Sequence, residues 1–140
     1  LASSSIFKAA AFACAFLLCA IRLAGAAADS PFGSWLAEDI RGAGVIAGVR
    51  TTLDILPSGE TSGSSGCNRF HGAAKVAGAE IAFGPLASSQ MGCPGPVGDQ
   101  ERKFFKALED VRQWTRDEQR RLLSLRDADG REILRLSETK

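Results

Sequence analysis

The sequence contains no tyrosine, one histidine and one methionine. Chemistry that needs several imidazoles therefore has no material here. Charge of one sign is also lacking: 17 Lys+Arg stand against 16 Asp+Glu, a formal charge of +1. That balance creates no strong field for nucleic acid or an anionic membrane surface. The basic residues of the C-terminal third alternate with acidic ones and have no aromatic platform, which again argues against nucleic acid. The acidic residues are dispersed, so no carboxylate pair suggests glycoside hydrolysis. The stretch Gly59–Gly66 is glycine-rich, but no Lys-Ser/Thr follows it, so it is not a phosphate loop. What remains is a chain of 140 residues, 45% hydrophobic and 24% charged. That composition suits one globular domain, not a disordered tail or a many-span membrane protein.

There is one long apolar run, Ala9 to Ile21, bounded by Lys8 and Arg22. Its thirteen residues are short for a bilayer span, which needs about 20. They fit the apolar core of a secretory signal peptide, with Lys8 as the positive flank and small residues at Ala24-Gly25-Ala26 and Ala26-Ala27-Ala28. Residues 1–28 are read as the signal peptide and 29–140 as the domain. An uncleaved anchor is one alternative. Lipidation at Cys19 is another, but Leu18 stands where a small residue is wanted. Removing residues 1–28 takes away Lys8, Arg22, Cys14 and Cys19, leaving 15 basic against 16 acidic residues and the pair Cys67 and Cys93.

The rest of the chain reads as strands, a helix, then a hairpin. Ser34–Asp39 is a first strand, and Arg41–Gly48 a Gly-rich loop. Arg50–Leu56 alternates, with Leu53 and Ile55 on one face. Pro57-Ser58-Gly59 marks a turn. Glu60–Gly66 is small enough to be a thin strand that lets another backbone approach. Ala73–Val76 and Glu80–Phe83, around Gly78, suggest a hairpin. After Pro94 and Pro96 the period changes: Phe104, Phe105, Leu108 and Val111 share one helical face. Asp99 is the expected N-cap. Glu109 and Asp110 oppose the helix dipole, so the helix is expected to stop near Leu108. Trp114 sits on a strand of its own. Leu122–Arg126 and Glu132–Leu136 flank Asp127-Ala128-Asp129-Gly130 as a hairpin, with Gly130 supplying a positive φ. About seven or eight short strands and one helix predict an α+β fold, an antiparallel sheet curled around the helix as a partial β-barrel.

Cys67 and Cys93 are the strongest chemical feature. In an exported chain the default is a disulfide. Closing its 26-residue loop stabilises the fold by roughly 3.5 kcal/mol in the chain-entropy model. Two other readings use His71. Cys67, His71 and Cys93 make three soft metal ligands without a fourth, and Cys67 with His71 makes a thiol nucleophile pair that a disulfide would abolish. His71 is otherwise placed in a loop.

These residues resemble a known family. Ser65-Gly66-Cys67-Asn68-Arg69-Phe70-His71-Gly72 is similar to the GCN-x-F-x-G motif of the META/HslJ domain. Ser89-Gln90-Met91-Gly92-Cys93-Pro94 resembles that family's T-x-M-A-C segment, with Ser89 in place of Thr and Gly92 in place of Ala. The aromatic that often follows the first motif is replaced by Ala73 and Ala74. Trp35, the run Ile81–Ala87, the amphipathic helix and the L-x-L-x-D-x-x-G hairpin stand in the same order. The likeness covers roughly residues 32–137.

The resemblance implies a curled antiparallel sheet beside a helix. It implies a bacterial envelope protein, periplasmic or secreted, from a Gram-negative organism, with some members linked to heat shock and antibiotic tolerance. It establishes no catalytic activity. The motif residues then carry structural roles: unusual φ at Gly66 and Gly72, loop hydrogen bonds at Asn68, core area from Phe70, and Met91 within the second motif. Cys67 reaches Cys93 to tie the central strands to the segment before the helix. No catalytic, cofactor or metal residue is assigned. The expected partner is an unidentified envelope protein. The alternative is a small apolar ligand in the barrel mouth, lined by Phe83, Phe104, Phe105 or Leu108. No nucleic acid and no membrane span after signal cleavage are expected. N-terminal sequencing of the exported protein should begin within a few residues of Asp29; a chain that keeps the Ala9–Ile21 run would overturn the cleavage.

Overall fold

The computed structural model of the protein describes residues 29–140. The signal-peptide helix expected over residues 1–28 lies outside them. Nine strands and one helix follow in the order β1 (Gly33–Ile40), β2 (Thr52–Ile55), β3 (Glu60–Ser64), β4 (Arg69–Ala77), β5 (Glu80–Phe83), β6 (Ala87–Ser88), α1 (Gly95–Asp110), β7 (Gln113–Asp117), β8 (Leu122–Arg126) and β9 (Glu132–Glu138). The added strand beyond the expected seven or eight is the two-residue β6, too short for a periodic signal. His71 is corrected from a loop to a strand, because β4 begins at Arg69 and pairs with both β3 and β6 there.

All strands join one antiparallel sheet in the order β3-β2-β1-β9-β8-β7-β5-β4-β6, and a further β3–β4 pairing closes it into a ring. Alternation explains the closure. Leu53 and Ile55 of β2, Leu123 and Leu125 of β8, and Leu134 and Leu136 of β9 are fully enclosed. Each two-residue period puts a side chain inside. Gly63 is the thin point: it faces Phe70 across the β3–β4 ladder, and a Cβ there would sit 2.9 Å from the Phe70 ring and against the Thr52 carbonyl. The weakest seam is β5–β7, which share the single register pair Glu80–Gln113.

Helix α1 follows the ring's sixth strand and packs on β5 and β1. Phe104, Leu108 and Val111 are fully enclosed, as their spacing predicts. Phe70, Phe104 and Phe105 form an aromatic triangle with centroids 5.5–5.9 Å apart, within the range of favourable edge and tilted contacts.

Both helix ends differ from expectation. The helix starts at Gly95 with Pro94 as its cap, so Asp99 lies inside it and pairs with Arg102. Pro96 sits in the first turn, where its fixed φ suits a helix and its missing N–H is not needed. The C-terminal end runs on to Asp110 because its unfavourable charge is met. Lys106 Nζ lies 3.0 Å and Arg41 Nη2 2.5 Å from the Asp110 carboxylate.

Arg116 fastens the two ends of the described residues to each other. Its guanidinium stacks over Trp35 at 5.0 Å, donates to the Ser30 carbonyl at 3.2 Å and lies 3.3 Å from Glu138. The Arg121 hydrogen bond, aided by Arg116, holds the Glu138 carboxyl below its ordinary value. A lowered carboxyl contributes stability that is complete above the unfolded-state pKa, about 4.3, and is lost as pH falls through the lower folded value. Thermal melts between about pH 5 and pH 2 should show that loss, with Glu138→Gln flattening part of it; an unchanged slope in the variant would remove the assignment.

Candidate functional site

The two motifs meet at one junction. Between β3 and β4 the chain makes a tight loop, Ser65–Asn68, in which the Ser65 N–H donates to the Asn68 carbonyl at 2.8 Å and the Ser65 hydroxyl oxygen accepts from the Asn68 N–H at 3.0 Å. Gly66 makes the loop possible. Its φ is +98°, and a Cβ there would meet Val49 at 2.4 Å.

Asn68 is 3% exposed, and its carboxamide reaches across to other segments instead of bonding its own loop. The Oδ1 accepts from the Met91 N–H and the Ser89 hydroxyl, both at 2.9 Å. Because a backbone N–H can only donate, this fixes which end of the amide is oxygen. The Nδ2 donates to the Met91 carbonyl at 3.2 Å and to the Glu101 carboxylate at 3.0 Å. Glu101, from the second turn of α1, also accepts from the Asn68 N–H at 3.2 Å and from the Ser65 hydroxyl. One side chain thus joins the first motif, the second motif and the helix. Sequence reasoning missed Glu101. Nothing local marks it, since its partners lie 33 and 36 residues away.

Cys67 and Cys93 are disulfide-bonded, with Cα atoms 6.2 Å apart, inside the usual range. The bond ties the loop before β4 to the segment before α1, as expected. The Cys67 and Cys93 sulfurs and a Glu101 carboxylate oxygen lie within 4.8 Å of one another. The disulfide uses both thiols, and the Glu101 carboxylate is already a hydrogen-bond acceptor for Asn68 and Ser65. His71 is outside this cluster, exposed on β4 opposite Ala87.

The remaining motif residues divide. Phe70 is in the core at 3% exposure. Gly72 does not have the positive φ expected of it; its need is room. A Cβ there would lie 2.6 Å from Leu86 Cδ2 and 2.9 Å from the Pro85 carbonyl, so Gly72 lets the β5–β6 connection cross close over β4. Met91 contributes its backbone to the junction, while its side chain is 60% exposed.

That crossing shapes a concavity. A groove of about 620 Å³ lies between the Phe83–Ser88 segment and one side of α1. Phe83, Pro85, Leu86 and Phe105 give it apolar walls, and Arg102, Lys106 and Glu109 stand on the helix side. Of the four residues expected to line an apolar cavity, Phe83 and Phe105 line this groove, whereas Phe104 and Leu108 are sealed in the core at 0% exposure. A smaller hollow of about 270 Å³ lies beside the Ala43–Ile46 loop, where Gln100 accepts from the Ile46 N–H at 2.7 Å.

Comparison with known proteins identifies the arrangement. The family model described as META domain matches residues 30–140. A solved NMR structure of a protein from Burkholderia xenovorans superposes with a TM-score of 0.62 at 24% identity, over 77% of this chain and 82% of that one. A second NMR structure gives a TM-score of 0.59 at 22% identity, over 76% and 88%. Likeness at those identities concerns the fold alone. No curated protein matches the chain.

Removing a junction partner strands buried polar groups, which costs more than the bond itself is worth. Asn68→Ala should destabilise the protein by about 2–4 kcal/mol in urea unfolding. Asn68→Asp should be worse, because it replaces the donor facing Glu101 with a second carboxylate. If Asn68→Asp is as stable as the parent, the junction does not have this role. Replacing Cys67 and Cys93 together by Ser should cost about 2–5 kcal/mol and leave no mass change on reduction.

Proposed function

The chain belongs to the META domain family, and we propose that it is an exported, non-catalytic binding protein of the bacterial cell envelope, acting in stress response or antibiotic tolerance through contact with another protein. The observation that carries this reading is the open apolar groove beside α1. Phe83, Leu86 and Phe105 line it half-buried, packed against the core on one side, while the reactive groups of the motifs are engaged elsewhere. Both motif cysteines are in a disulfide, and the protein's one imidazole lies outside their cluster, so a Cys67–His71 nucleophile has no free thiol. Disulfide bonding also agrees with an oxidising compartment, periplasmic or secreted. No helix among the described residues is long and apolar enough to cross a membrane.

A second reading, carriage of a small apolar ligand, draws on the same groove. Its volume of about 620 Å³ falls in the range typical of small-molecule sites. The interior between sheet and helix gives that reading less support, because Phe104 and Leu108 are packed on all sides.

Photo-crosslinking in intact cells separates the two. A photoreactive residue replacing Lys106, in the groove wall, should capture one defined envelope protein, and the same residue replacing Arg135 on β9 should not. Equal capture from both positions, or none from either, shifts the assignment to a small-ligand carrier.

A further inference from the structure

The strand ladder leaves backbone groups open at a residue that lines this groove. In an antiparallel pair, residues alternate between exchanging hydrogen bonds with the partner strand and pointing those groups away from it. The Gly84 N–H donates to the Ala73 carbonyl at 2.8 Å, so that position bonds to β4. Phe83, one residue back and opposite Ala74, is the alternate kind: its N–H and C=O face away from β4. Ile81, two residues back, confirms the phase, since its N–H donates to the Arg112 carbonyl on the β7 side at 3.0 Å. Pairing with β7 ends there, because Glu80–Gln113 is the seam's single register pair. Among the described residues the Phe83 N–H and C=O have no hydrogen-bond partner. Phe83 itself lines the groove.

We propose that the groove takes an extended peptide segment of a partner protein, added as a short strand to the open edge of β5 at Phe83. This deepens the protein-binding reading and rests on it. A small apolar molecule would fill the walls but leave the Phe83 backbone pair unmet, whereas an extended chain meets both together. The groove's length agrees. Arg102, Phe105, Lys106 and Glu109 form one stripe of α1, and the seven rises from Arg102 to Glu109, about 1.5 Å each, span about 10 Å. Three residues of strand, at about 3.3 Å each, cover the same length. A residue directly opposite Phe83 points its side chain to the same face, so the central peptide position should be apolar. Arg102 and Lys106 on the helix side, although each already has an acidic neighbour, favour a peptide of net negative charge over a positive one.

The test uses the purified, isotope-labelled protein with a capped Val-Asp-Val-Asp-Val peptide. Binding should move the amide signals of residues 83–88 and 102–109 and slow hydrogen exchange at the Phe83 N–H at least tenfold. N-methylation of the central valine, which removes the donor that Phe83 C=O would accept, should weaken binding about tenfold. Lys106→Glu should weaken the acidic peptide several-fold and favour a Val-Lys-Val-Lys-Val peptide, with a native-like amide spectrum showing that the variant is folded although it loses the Asp110 pair. Decanoate is the competing probe. If decanoate binds the groove and N-methylation has no effect, the site takes small apolar molecules and the strand-addition proposal is overturned. If neither peptide nor decanoate shifts those signals at millimolar concentration, the proposal is also overturned. A partner crosslinked from another face would then still leave protein binding standing.

Discussion

The Asn68 carboxamide fixes three segments relative to one another, and most of the architecture depends on that. Its oxygen accepts from the Met91 N–H, and its nitrogen donates to Glu101 on α1. The loop that holds Asn68 in place is itself closed by Ser65 and made possible by Gly66. Because these groups are enclosed, each hydrogen bond is stronger than it would be in water and each missing partner is more costly. The disulfide at the neighbouring residue acts on a different state. It limits the unfolded chain, while the carboxamide selects one folded arrangement. Together they bring the end of the sheet's first half and the start of α1 to one point.

Once α1 is fixed there, the groove follows. The helix covers the ring near β5 but does not close the β5–β7 seam, where the ladder has one register pair. Gly72 lets Pro85 and Leu86 pass over β4, and that passage forms the wall opposite the helix. The family motif therefore shapes a surface without lining it. Its residues set the distance between two walls whose own residues, Phe83, Leu86, Phe105 and Lys106, lie outside the most recognisable part of the motif. The arrangement suits a binding domain: rigid support from hydrogen bonds and a disulfide, and a contact surface free to vary in side chains.

Much of the fold was legible because the evidence for it is local. Alternation located β2, β8 and β9, and the spacing of Phe104, Leu108 and Val111 located the buried face of α1. Asp127-Ala128-Asp129-Gly130 located a hairpin, and Gly130 has the expected positive φ of 80°. Readings failed where a distant group outweighed a local preference. Asp99 looked like a cap, but Pro96 allowed the helix to begin a turn earlier. Asp110 looked like a helix breaker, but Arg41, 69 residues away, neutralises it. Asn68 looked like a loop-former, and its side chain instead bonds 21 to 33 residues ahead. Gly72 was given a conformational reason when its reason is steric.

The sequence by itself determined the class of fold, the two-cysteine pairing and the family, because periodicity, cysteine number and ordered motifs are properties of the chain. It did not determine which exposed residues would share a wall. Phe83 and Phe105 have the same composition signal as Phe70 and Phe104, yet two line a groove and two are sealed in the core. That division was decided by where β4 forces the β5–β6 connection to cross and by how far β7 pairs along β5. Both are distances between segments far apart in the chain, set by packing and hydrogen-bond register rather than by any local preference.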